Sequence, residues 1–183
     1  MESIMPGKPY ALRPGDPKRK LVHELARIAR ELKIRPVVIG GLAVNHHGYL
    51  RVTVDVDLLL SKEDAARLFR RLKEELGWKR YGEGFRNLDL NADVHIHVVD
   101  CLPLARSIRV RPIPVPALED LLALKVTSDL AKDDADIAEL LKLRPVQIES
   151  IHAATRKRLR TKQARLHLDR VVARTKDELA RRP

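Results

Sequence analysis

The sequence is poor in cysteine and has no long apolar run. Cys101 is the one cysteine among 183 residues, so an internal disulfide and a cysteine-based zinc site are both excluded. No stretch approaches the roughly eighteen apolar residues of a membrane span, and the N-terminus lacks the apolar core of a signal peptide. These absences predict a cytoplasmic protein with no membrane partner.

Aromatic residues and acidic charge are also scarce. Aromatic side chains make up 3% of the chain, which leaves little surface for stacking on nucleic-acid bases. Lys and Arg number 36 against 25 for Asp and Glu, a net charge of +11. Residues 156–183 hold 11 basic and 3 acidic side chains and so supply +8 of that charge. This basic tail is interpreted either as a solvated helix or as a phosphate-binding surface for RNA.

The stretch Val37–Leu60 is the one around which the rest of the chain is organised. A β-branched run ends at Gly40-Gly41, and a second β-prone run follows with Asp55 and Asp57 on one face of the strand. Their Cα atoms are about 6.5–7 Å apart, and two like charges so close are costly unless a cation lies between them. The pattern therefore predicts a Mg²⁺ or Mn²⁺ site, beside glycines that let a phosphate approach the backbone.

These residues resemble a known signature. Gly40-Gly41, then Arg51-x-Thr53-x-Asp55-Val56-Asp57, is similar to the motif of the DNA polymerase β-like nucleotidyltransferase superfamily, and most similar to its AbiEii/MenT-like branch. The resemblance implies that Asp55 and Asp57 are catalytic metal ligands and that Gly40, Gly41, Arg51 and Thr53 bind a nucleoside triphosphate. It also implies a toxin-like enzyme with an antitoxin partner chain.

The superfamily places a third carboxylate on a neighbouring strand, and Asp93 resembles it. By that resemblance Asp93 is a catalytic residue and metal ligand, which orients or deprotonates the nucleophile. Asp100 is the weaker candidate, because alternation places it on the opposite face. His95 and His97 share the face of Asp93, but three ligands along one strand suit a single tetrahedral ion poorly, so we interpret the histidines as pocket-lining residues.

A second motif follows at Pro116-x-x-Glu119-Asp120-Leu121-Leu122-x-x-Lys125 and Lys132-Asp133-x-x-Asp136. It resembles the segment after the catalytic core in the AbiEii-like branch. The resemblance implies that Lys125 contacts the nucleotide phosphates, with support from Asp136 or Asp133. Without it, Lys125 would be interpreted as a solvated lysine on a leucine-rich helix.

Periodicity and breakers divide the chain into three parts: an irregular lead-in over 1–16, a nucleotidyltransferase core over 17–116 and a helical region with a basic tail over 117–183. The predicted fold class is α/β (α+β), a small mixed sheet flanked by helices. Helices are expected over about 17–33, 62–76, 117–130, 133–143 and 147–179, short antiparallel strands within 78–90, a strand over 94–99 and an edge strand over 108–116.

The leading hypothesis is a Mg²⁺-dependent nucleotidyltransferase that transfers a nucleoside monophosphate to an acceptor, RNA being one candidate. Two alternatives stay open. One is a non-catalytic nucleic-acid-binding or toxin-antitoxin partner protein, which the carboxylates argue against. The other is a small-molecule nucleotidyltransferase that modifies an antibiotic such as an aminoglycoside, which the basic charge of the chain disfavours.

Overall fold

The computed structural model describes residues 12, 15–82, 84–99, 107–108, 112–128 and 130–181. These residues fall into two compact units, one within Met1–His46 and Leu50–Pro116 and the other within His47–Tyr49 and Ala117–Pro183. Most of the predicted lead-in over 1–16 lies outside the described residues, as do Asp100 and Cys101.

The first unit is built on a five-stranded mixed sheet with the strand order β1-β2-β5-β4-β3. Strand β2 runs parallel to β5, and every other neighbouring pair is antiparallel. The small mixed sheet and the antiparallel strands predicted within 78–90 are confirmed. The strands are β1 Val37–Ile39, β2 Asp55–Leu60, β3 Lys79–Tyr81, β4 Gly84–Asn87 and β5 Ala92–Val98.

Two of the three helices of this unit begin after a side-chain cap. Helix α1 spans Pro17–Leu32, and the Asp16 side chain accepts a hydrogen bond from the Lys18 amide at 2.9 Å. Helix α2 is the short Gly40–His46 segment, and α3 spans Lys62–Arg70 after its Ser61 cap. The chain does not remain α-helical to residue 76, because a π-helical turn over Arg71–Glu75 follows, closed by the Leu76 amide bonding to the Arg71 carbonyl.

One face of the sheet forms the core of the first unit. Its side chains are buried, and α1 and α3 both contact β2 and β5 there. Since successive strand residues point to opposite faces, burial of this set leaves the alternate residues of β2 and β5 on the other face. The buried set is Val56, Leu58, Leu60, Val94 and Ile96.

Residues 109–111 of the predicted edge strand over 108–116 lie outside the described residues, and the described part is not one continuous strand. The structure has two short strands, β6 Ser107–Ile108 and β7 Val115–Pro116, which pair with each other in a separate antiparallel sheet. Residues 112–114 are irregular, and Pro112 and Pro114 there have no N–H group to donate to a strand ladder. The Pro114 carbonyl still accepts from the Val38 amide of β1 at 2.8 Å.

The second unit is helical, as predicted. The long helix expected over 147–179 is two helices, because the chain breaks at residues 157–161 and Thr161 caps the second by accepting from the Ala164 amide at 3.1 Å. The helices are α4 Leu118–Ser128, α5 Ala131–Lys142, α6 Ile148–Arg156 and α7 Lys162–Ala180. Within the described part of the chain, no helix combines the length and the apolarity that crossing a bilayer requires.

We expect Leu58→Ala to lower the free energy of unfolding by about 2–5 kcal/mol, because Leu58 is 0% exposed in the core face and its truncation leaves a cavity. The matched control is Leu88→Ala at a side chain that is 56% exposed, for which the change should stay within about 0.5 kcal/mol. Urea unfolding of both variants measures the difference. Equal losses would mean that this face of the sheet is not the core.

Candidate active site

The open face of the sheet gathers the carboxylates that the sequence singles out. Parallel pairing sets Asp55 beside Asp93 and Asp57 beside His95. Paired residues of neighbouring strands point to the same face, so side chains predicted from separate segments meet here. His97 follows two residues on, on the same side of β5.

Two histidines contact the carboxylates of β2. His95 Nδ1 lies 3.2 Å from Asp55 Oδ2 and 3.7 Å from Asp57 Oδ1, and His97 Nε2 lies 3.0 Å from Asp57 Oδ1. Asp55, Asp57 and His95 each offer one ligand atom, and these atoms lie within 4.8 Å of one another. All three side chains are partly exposed, so the cluster is accessible to a ligand.

Asp93 lies on this face but has a different partner. Arg86 on β4 donates to both of its carboxylate oxygens, from Nε at 2.6 Å and from a terminal nitrogen at 2.7 Å. The Arg86 guanidinium also stacks 4.2 Å from the centre of the Tyr81 ring. The hydrogen bonds from Arg86 lower the pKa of Asp93 below its usual range. Asp93 is therefore an ionised carboxylate that accepts two hydrogen bonds from Arg86.

The glycine pair is packed directly against the predicted metal ligand. Gly40 has φ +61°, and a Cβ at this position would lie 1.9 Å from Asp57 Oδ2. A Cβ at Gly41 would lie 2.6 Å from Thr53 Oγ1. Only glycine fits the first position on both counts, the left-handed backbone and the contact with Asp57. The pair therefore makes room for site side chains, a role that the sequence alone did not indicate.

The loop before β2 is held by the Asn45 side chain. Asn45 Nδ2 donates to the Arg51 carbonyl at 3.0 Å, and its Oδ1 accepts from the Arg51 amide at 2.9 Å. Thr53 Oγ1 donates to the Asp55 carbonyl at 3.3 Å. A buried amide that satisfies both backbone groups of one residue fixes the course of Arg51 to Asp55, and no sequence pattern identified Asn45.

Lys125 is not solvated. Its Nζ lies 2.5 Å from Asp133 Oδ1 and 2.6 Å from Asp136 Oδ2, and all three side chains are buried within the second unit. Asp133 also accepts from the Ser128 hydroxyl. The structure thus brings Lys125 together with both carboxylates that the motif pairs with it. A contact between Lys125 and nucleotide phosphates stays a prediction.

The structure thus assembles Asp55, Asp57, Asp93, Gly40 and Thr53 within the first unit and Lys125 with Asp136 within the second. Sequence reasoning missed Arg86 because only strand pairing, Arg86 opposite Asp93, reveals its role. Sequence reasoning also gave His95 too little weight as a metal ligand, because it considered His95 only together with Asp93 and His97 on the same strand and not with Asp57 on the neighbouring strand.

No protein-family model matches the sequence, and no curated protein matches it at significant similarity. Solved structures do. An antigenic nucleotidyltransferase-like protein from Paracoccidioides brasiliensis has a TM-score of 0.57 at 16% identity, over 91% of this chain and 92% of that one. The antibiotic-resistance factor ANT(2'')-Ia, in complex with adenylyl-2''-tobramycin, has a TM-score of 0.52 at 19% identity, over 77% of this chain and 98% of that one.

A solution structure of the same resistance factor gives a TM-score of 0.51 at 19% identity, over 78% of this chain and 94% of that one. At such identities the similarity establishes the fold. The nucleotidyltransferase fold predicted from the sequence is confirmed, and the neighbours do not distinguish the AbiEii/MenT-like branch.

We expect Gly40→Ala to weaken divalent-metal binding far more than Gly77→Ala. Both glycines have left-handed backbones, at φ +61° and φ +64°, so both substitutions cost about 1–2 kcal/mol of backbone strain. A Cβ at Gly77 meets nothing within 4 Å, whereas one at Gly40 displaces the Asp57 carboxylate. Calorimetric titration with Mn²⁺ and urea unfolding of both variants measure the two effects. Equal metal affinities in the two folded variants would remove Gly40 from the site.

Proposed function

We propose that this protein is a divalent-metal-dependent nucleotidyltransferase, which transfers a nucleoside monophosphate from a nucleoside triphosphate to an acceptor. The observation that carries the proposal is the pair Asp55 and Asp57, on the open face of a nucleotidyltransferase-fold sheet and beside a glycine that packs on Asp57. Their partly exposed carboxylates suit a bound ligand better than a buried structural role.

The residues present fit a divalent cation. Two carboxylates with adjacent oxygen atoms are the donor set that Mg²⁺ and Mn²⁺ take in phosphate-transfer sites, and the donors of the Asp55, Asp57 and His95 cluster lie within 4.8 Å of one another. When bound, such an ion neutralises charge on the triphosphate and lowers the pKa of an attacking hydroxyl.

The reaction is an in-line displacement. An acceptor hydroxyl oxygen forms a bond to the α-phosphorus and releases its proton to solvent, the bond from that phosphorus to the bridging oxygen breaks, and pyrophosphate leaves. In the proposal Asp55 and Asp57 bind the ion, Arg51 and Thr53 bind the triphosphate, and Gly40 and Gly41 leave room for both.

The roles proposed for Asp93 and Lys125 take account of their ion pairs. Because Arg86 holds Asp93 ionised, Asp93 is a weak base, and we assign it to orienting the acceptor hydroxyl through the Arg86 pair. Lys125 is proposed to contact the nucleotide phosphates with support from Asp136, as the sequence resemblance implies. Its buried ion pairs with Asp133 and Asp136 fix the position of its ammonium group.

RNA is the acceptor that we propose first, because three exposed cations form a group that we call the basic corner. Lys157, Arg160 and Lys162 lie at the junction of α6 and α7, all exposed, and no carboxylate of the described residues pairs with them. Arg156 and Arg158, by contrast, pair with Asp169 and Asp120. An exposed group of cations without acidic neighbours suits a phosphate backbone. A toxin-like enzyme in the cytoplasm with an antitoxin partner belongs to the same proposal.

A second candidate is modification of a small molecule. One structural neighbour, ANT(2'')-Ia, was solved with adenylyl-2''-tobramycin, and this complex is the observation that favours an antibiotic acceptor.

The test of the proposed function is incubation of the protein with each labelled nucleoside triphosphate, Mg²⁺ or Mn²⁺, and either total RNA, protein or aminoglycosides. The proposal expects pyrophosphate release with label in one fraction, and a protein that binds neither nucleotide nor metal would refute it.

We expect Asp57→Asn to abolish metal-dependent pyrophosphate release while the fold stays intact or becomes slightly more stable. The substitution removes a ligand charge and also relieves repulsion with Asp55 in the metal-free protein. The matched control is Asp89→Asn in an exposed turn, which should keep full activity. Activity assays and thermal unfolding measure both variants. An unfolded Asp57→Asn protein would identify Asp57 as structural.

We expect that neutralising Lys157, Arg160 and Lys162 to Gln flattens the slope of log affinity for RNA against log salt by about 2–3 units, since each lost phosphate contact removes about 0.7–0.9. The control neutralises three other exposed lysines, Lys20, Lys62 and Lys73, with the same change in net charge. Filter binding between low and physiological salt gives the slopes. Identical slopes in the two triple variants would leave the corner as a solubility feature.

A further inference from the structure

We propose that His95 is a nitrogen ligand of the divalent ion, and that the site therefore prefers Mn²⁺, or a similar first-row transition ion, over Mg²⁺. The inference rests on the proposed function and adds to it the identity of the third protein ligand. It departs from the sequence resemblance, which implies a carboxylate, Asp93, at that place.

The first observation is spacing. Bonds of about 2.1 Å place two cis ligands of an octahedral ion about 3 Å apart and two trans ligands about 4.2 Å apart. His95 Nδ1 is 3.2 Å from Asp55 Oδ2 and 3.7 Å from Asp57 Oδ1. Both distances lie in the range that one ion needs, and strand pairing of Asp57 with His95 maintains them.

The second observation is that the Asp93 carboxylate already has a partner. Both of its oxygens accept hydrogen bonds from Arg86, whose guanidinium is held against the Tyr81 ring. A bidentate arginine-carboxylate pair is among the stronger charge-assisted contacts. With one lone pair of each oxygen already engaged by Arg86, Asp93 has less donor capacity to offer an ion, whereas His95 already faces Asp55 and Asp57.

The consequence is selectivity. Mg²⁺ takes oxygen ligands and gains little from an imidazole, while transition-metal ions bind imidazole well. A site with two carboxylates and one histidine therefore retains Mg²⁺ less well than a site with three carboxylates. Arg86 is a positioning residue that holds the third carboxylate by both of its oxygens.

The test is electron spin echo spectroscopy of Mn²⁺ bound to the whole 183-residue chain, because a coordinated imidazole ¹⁴N nucleus modulates the echo. The expected spectrum of the natural protein has this ¹⁴N modulation, and protein labelled with ¹⁵N-histidine loses it without any mutation. His95→Asp should lose it as well. The matched control is His97→Asn, which should keep it, since His97 contacts Asp57 but is outside the ligand cluster.

Affinities give the second readout. Mn²⁺ titration with Mg²⁺ competition should show the preference for Mn²⁺ over Mg²⁺ falling by at least about tenfold in His95→Asp, and Asp93→Asn should lower Mn²⁺ affinity less than His95→Ala, which removes the ligand, does. Bound Mn²⁺ without nitrogen modulation, loss of modulation in His97→Asn alone, or the reverse order of affinities would overturn the inference. Absence of any Mn²⁺ binding would instead refute the proposed function.

Discussion

The register between β2 and β5 is the constraint on which the site depends. Asp55 pairs with Asp93 and Asp57 with His95, and on the opposite face the intervening residues Val56 and Val94 are completely buried. A slip of one residue would move the carboxylates into the core and the valines into water, so burial of one face enforces the composition of the other. The hydrophobic core thus holds together acidic side chains that repel one another.

That repulsion is moderated by specific partners. Arg86 neutralises Asp93, and the two histidines contact Asp55 and Asp57. Gly40 lets the backbone pass against the Asp57 carboxylate, and Asn45 fixes the loop that leads into β2. A cluster of acids built with this much local support, and left accessible, is better suited to a cation and a triphosphate than to stability alone.

Local chemistry predicted much of this arrangement. The placement of Asp55 and Asp57 on one face of a strand and the helical second half both follow from neighbours in sequence. Pairing over distance could not be predicted in the same way, which is why Arg86 and His95 were missed or underrated. The break before α7 is capped by Thr161, whereas the sequence pattern predicts one continuous helix over 147–179. Burial of Lys125 depends on two aspartates from the next helix and is invisible to helix periodicity.

The central claim is that the carboxylate face supports transfer of a nucleotide rather than of a terminal phosphate. The most direct measurement uses one triphosphate labelled in parallel at the α-phosphate and at the γ-phosphate, with the purified protein, a divalent ion and the acceptor fraction. The account predicts that α-label becomes attached to the acceptor while γ-label is released in pyrophosphate. Transfer of γ-label to the acceptor, or retention of both labels in the triphosphate with every acceptor class, would contradict it.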